Sequence, residues 1–122
     1  MLIVVEVIIM DWISSISNMD NIIHDICIKN SSLIIFIKTW DQKIRQMTFA
    51  DYYAFKEKGS IGREIGDILI ATNSPLLEEL REDIVNGGGT IDEIADVKSI
   101  MLYDSWNEVI LLEVLSKNID FC

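Results

Sequence analysis

The sequence predicts an α+β domain: an antiparallel sheet of about five to six strands, a meander plus a C-terminal hairpin, with one main helix over about residues 75–86. Three observations predict it. Asn21 to Ala50 divides into three short runs with apolar residues at a period near two, separated by polar turns. Ser74-Pro75 opens a stretch whose leucines recur at helical spacing. Two further apolar runs, Val97 to Tyr103 and Glu108 to Lys117, flank Asp104-Ser105-Trp106-Asn107 as the arms of a hairpin flank its turn. The 122 residues are 50% hydrophobic and 25% charged, which suits one folded domain over 1–122 with a core of its own.

Met1 to Met10 is strongly apolar but lacks a basic leader region and a small-residue cleavage site. Glu6 interrupts it, and it is far shorter than a membrane span. Met1 to Ile9 therefore reads as an extra strand, or as an extension upstream of a start at Met10. Asp11 to Asn18 reads as a short N-terminal helix with Trp12, Ile13 and Ile16 on one side.

In the first run, Ile22, His24, Ile26 and Ile28 alternate with Ile23, Asp25 and Cys27, and the isoleucine-rich set, His24 included, is expected inward. Asn30, Ser31 and Ser32 suit a turn. Leu33, Ile35 and Ile37 share one face of the next strand, and Ile34, Phe36, Lys38 and Trp40 share the other. Apolar residues on both faces mark a strand covered on both sides or lying at a subunit contact. Asp41-Gln42 reverses the chain. The third strand returns with Met47 and Phe49 inward and Lys43 and Arg45 toward solvent.

Asp51 to Gly66 is less regular, with an aromatic cluster of Tyr52, Tyr53 and Phe55 followed by glycine-punctuated loop. Asp67 to Thr72 is a short buried strand. Ser74 is the helix N-cap, Pro75 takes the first helical position, and Leu77, Leu80 and Ile84 form the inward stripe. Asn86 and Gly87 end the helix, with Gly87 expected in the left-handed cap. Ile91 to Ala95 forms a single helical turn. In the last strand both faces are apolar, so it is expected in the interior of the sheet.

The chemistry-bearing residues are few. Gly59, Gly62 and Gly66 lack the Lys-Ser/Thr pair that completes a phosphate loop, and read as spacers. His24 is the only histidine and has no metal-ligand spacing around it. Cys27 and Cys122 form neither a disulfide framework nor a metal motif, and on a regular strand positions 24 and 27 point to opposite faces. No catalytic residue, cofactor or metal is expected. A small-ligand site around His24, Asp25, Tyr52 and Tyr53 is the least favoured reading.

Charge is the most distinctive feature. The net charge is −10, and residues 76–122 carry eleven acids against three bases. Such a field repels phosphate backbones, so nucleic acid is not expected as a partner, nor is a membrane. Glu78, Glu79, Glu82 and Asp83 fall on the outward arc of the helix, and Asp92, Glu93 and Asp96 follow. The EF-hand calcium pattern is missing from them. Together with Trp106 they are the expected partner-binding residues, for a basic protein.

Residues 33–49 (LIIFIKTWDQKIRQMTF) and 100–117 (IMLYDSWNEVILLEVLSK), with EIGDILI and SPLLEEL between them, resemble small uncharacterised bacterial proteins. Some of those serve as immunity partners of secreted toxins. The resemblance spans most of residues 10–117 and rests on pattern and on the turn pairs Trp40-Asp41, Gly66-Asp67 and Asn107-Glu108. It implies a single α+β domain without catalysis and transfers no functional residue. The expected function is a cytoplasmic, non-enzymatic domain masking a basic partner. The alternative is a structural protein that self-associates as a homodimer without a toxin partner.

Overall fold

A computed structural model describes residues 21–104 and 109–121, with the backbone alone for Phe121. These residues form two four-stranded antiparallel sheets, a helix and a 3-10 turn. The first sheet runs, in spatial order, β1 (Ile22–Lys29), β2 (Ser32–Lys38), β3 (Ile44–Ala50) and β8 (Asp120–Phe121). The second runs β4 (Ala54–Glu57), β7 (Ile110–Ser116), β6 (Lys98–Asp104) and β5 (Ile65–Ala71). The helix α1 spans Pro75–Asn86, and the 3-10 turn spans Ile91–Ile94.

The α+β class, the meander, the C-terminal pair and the helix stand as expected; the single sheet of five to six strands does not. Eight strands divide between two sheets because the C-terminal pair joins β4 and β5 rather than the meander. Alternation says which residues share a face, and says nothing about which sheet a strand enters. β4 has four residues and β8 two, too short for a period to show. Asp11 to Asn18 and Met1 to Ile9, expected as helix and strand or extension, lie outside the described residues.

Turn chemistry sets the meander. Asn30 and Ser31 have φ of 51° and 66°, the pair of left-handed residues that a two-residue hairpin requires. The second reversal is closed by Thr39 N–H to the Lys43 carbonyl at 2.8 Å, with Gln42 left-handed at φ 66°. The resulting register sends Leu33, Ile35 and Ile37 inward with Met47 and Phe49, all buried. Opposite them stand Ile68, Ile100, Leu102, Leu112 and Val114 of the second sheet, which complete the main core.

β1 departs from regularity. Ile23 pairs with Ile37 but Asp25 pairs with Phe36, so His24 is the extra residue of a bulge. Ile23 and Ile26 therefore both serve the core, and His24 is exposed rather than inward. The parity separating positions 24 and 27 belongs to an unbroken strand, and the bulge resets it.

A second, smaller core lies on the far face of the second sheet. Leu77 of α1 is fully buried there with Ile94, Val97 and Leu115. Ser74 caps the helix, its Oγ accepting from Leu77 N–H at 3.1 Å, and Pro75 follows with no amide to satisfy. The same hydroxyl donates to Glu113 Oε2 at 2.5 Å, and Ser99 Oγ donates to that oxygen at 2.6 Å. A buried carboxyl on β7 thereby fastens the start of the helix to two strands. The C-terminus differs in one residue from expectation: Gly87 has φ −83°, and Gly88, at +88°, is the left-handed one. Gly89 N–H then returns to the Ile84 carbonyl at 2.8 Å.

The glycine-punctuated loop is a fastened corner between the sheets. Gly62 N–H reaches the Ile23 carbonyl at 2.7 Å, and Ile23 N–H reaches the Arg63 carbonyl at 3.0 Å. Arg63 forms an ion pair with Asp104, whose side chain is buried at the end of β6.

Candidate functional site

Three layers result: first sheet, second sheet, and α1 with the 3-10 turn. The outermost layer carries the acidic set. Glu78, Glu79, Glu82 and Asp83 are all exposed, because Leu77, Leu76, Leu80 and Ile84 take the face toward the sheet. Asp92, Glu93 and Asp96 are exposed as well, because Ile94 and Val97 take the buried positions. The structure thus places these seven carboxylates in one layer, since α1 and the 3-10 turn pack on each other. Trp106, expected with them, falls in 105–108 and lies outside the described residues.

Arg81 is the single base in residues 75–97, and it is committed locally. Its Nη1 lies 2.6 Å from Glu78 Oε1 and 2.7 Å from Asn73 Oδ1, and its Nη2 lies 3.1 Å from the Thr72 carbonyl. The guanidinium closes the first turn of the helix and offsets one carboxylate of seven. Like charges at spacings of three and four cost a few tenths of a kcal/mol per pair, which solvent exposure keeps tolerable. Two apolar side chains are exposed in the same layer, Val85 (51%) and Ile91 (50%). An anionic surface with apolar spots can steer a cationic partner and then seat it.

The other candidate residues are dispersed. Asp25 is exposed and its Oδ1 accepts from Ile26 N–H at 2.9 Å. Cys27 is half-buried. Tyr52 meets Phe55 edge-on with ring centroids 5.7 Å apart, whereas Tyr53 stands under Lys117 Nζ at 5.8 Å. Among the described residues, no three His, Cys, Asp or Glu side chains group to hold a metal ion. No described helix is long and apolar enough to cross a membrane.

Trp40, which the sequence offers equally as an interface aromatic or as packing, is presented outward by the β2–β3 turn, and beside it lies a hollow that the sequence did not announce, about 260 Å³ and lined by Ile22, Lys38, Thr39, Trp40 and Gln42. The Thr39 hydroxyl hydrogen-bonds the Asp41 carboxylate and holds its pKa below the ordinary 3.8, with the Lys43 amide and ammonium adding to the effect. The signal for the outward Trp40 was present in the Trp-Asp-Gln sequence at a reversal, where a tryptophan has no sheet neighbour to cover it.

Comparison with protein-family models, curated proteins and solved structures found no match.

Proposed function

We propose that the chain is a non-enzymatic, acidic protein-binding domain that masks a basic protein partner, in the manner of an immunity or antitoxin protein. One observation carries the reading: seven exposed carboxylates share a layer with Val85 and Ile91, and the single base there is already engaged. Such a surface accelerates encounter with a cationic protein through its field, while the apolar side chains supply contact area once water is expelled. Masking needs coverage of the partner's site rather than a reaction, so fixed charge on a rigid layer suffices. The two cysteines, outside any framework, fit a reducing cytoplasm.

The test compares the parent with Glu78→Lys/Glu79→Lys/Glu82→Lys/Asp83→Lys. The probe is a small basic nuclease, with cytochrome c as a nonspecific cationic control. Steering predicts an association rate at low salt at least about ten-fold slower for the variant, with a flattened salt dependence. An unchanged rate removes the role assigned to this layer. Equal slowing toward cytochrome c, without tight binding to the nuclease, reduces it to general surface charge.

A further inference from the structure

The outer face of the first sheet carries an apolar strip, Ile22, Cys27, Ile34, Phe36 and Ile44, and no described element lies on it. Register defines the face rung by rung: Lys29, Ser32 and Ala50 on the first, Cys27, Ile34, Thr48 and Asp120 on the second, Asp25, Phe36 and Gln46 on the third, Ile22, Lys38 and Ile44 on the last. Ile22 and Ile44 are 39% and 46% exposed, and Ile34 and Phe36 are half-buried. A strand apolar on both faces is stable where both are covered.

We propose that residues 1–20 of the same chain cover this face. The segment ends where the face begins: Asn21 is buried, and Ile22 opens β1 on the last of those rungs. Its composition suits the contact, with thirteen of twenty residues apolar. Continuity of the chain also favours it over a second copy, because a tethered segment meets the face at a high effective concentration. Twenty residues reach up to about 70 Å, against about 25 Å for the length of a β-strand here, so the span imposes no limit.

Cys27 is a built-in reporter, because it lies on the covered face and Cys122→Ser leaves it the only thiol. In that otherwise complete chain, Cys27 should react with DTNB at least ten-fold more slowly than after Val5→Asp/Ile9→Asp, at a rate independent of protein concentration. Unshifted amide signals of Ile35 and Leu112 show that the double variant keeps its core. Independently of any variant, NOEs should connect the Phe36 ring to methyl groups of residues 1–20. Three results overturn the proposal: equal labelling in both proteins, an absence of those NOEs, or protection of Cys27 that grows with protein concentration. The last identifies a second copy as the occupant.

Discussion

β2 and β7 carry the same kind of sequence, apolar on both faces, yet the described structure completes them differently. β7 lies between the first sheet and α1, with Leu112 and Val114 on one side and Leu115 on the other. β2 has the main core beneath Leu33, Ile35 and Ile37, and above it only the half-buried Ile34 and Phe36. Their polar residues show what the difference demands. Glu113 is buried under the helix and has two serine hydroxyls on one oxygen, whereas Lys38, Gln46 and Thr48 sit on the outer face without comparable burial. A polar group can enter a sealed face only with its partners supplied, while on a face only partly covered it keeps a path to water.

The sharpest way to break this comparison is to remove equal volumes from both faces. Leu77→Ala, at a fully buried position, should cost about 2–5 kcal/mol. Ile34→Ala should cost about 1 kcal/mol, since part of its surface already meets solvent. Urea denaturation measures both. Equal losses would mean that the two faces are equally sealed.

The next largest effect isolates the polar fastening. Glu113→Ala leaves the hydroxyls of Ser74 and Ser99 without their acceptor and should cost about 2–3 kcal/mol. Glu113→Gln keeps an acceptor oxygen and should lose roughly half as much by the same reasoning. Gln46→Ala, on the outer face of the first sheet, should stay within about 0.5 kcal/mol. A Gln46→Ala loss matching that of Glu113→Ala would erase the distinction between the faces.

The sequence made much of this architecture legible, because side-chain period and turn chemistry are local. Leu33, Ile35, Ile37, Met47 and Phe49 announce the inner face of the meander, and Ser74-Pro75 announces the helix start within one residue. The division into two sheets was not legible, because it depends on which strand edges meet, a nonlocal property. His24 was misplaced because a bulge changes parity without a glycine to mark it. The left-handed residue moved from Gly87 to Gly88 because three consecutive glycines satisfy the cap equally well in sequence. Of the seven carboxylates of the candidate surface, the exposure of Glu78, Glu79, Glu82 and Asp83 followed from the helical stripe. The assembly of all seven into one layer depended on the packing of the 3-10 turn against α1.

The smallest effect concerns a site where burial plays no part. Asp41 lies in the exposed β2–β3 turn, and its pKa is lowered chiefly by the Thr39 hydroxyl. Because the folded-state pKa is depressed, the turn gains stability above the unfolded-state value and loses it as pH falls through the folded one. Thr39→Ala removes the main cause, so the Asp41 carboxyl should titrate closer to 3.8, as read from its carboxyl carbon shift. The Lys43 ammonium, 3.8 Å away, should keep part of the depression at low salt and lose it at high salt. At Glu113 the partners of a carboxyl are needed because water is excluded; at Asp41 they only bias a group that water already solvates. An Asp41 midpoint unmoved by Thr39→Ala would show that the turn backbone, rather than the hydroxyl, sets its acidity.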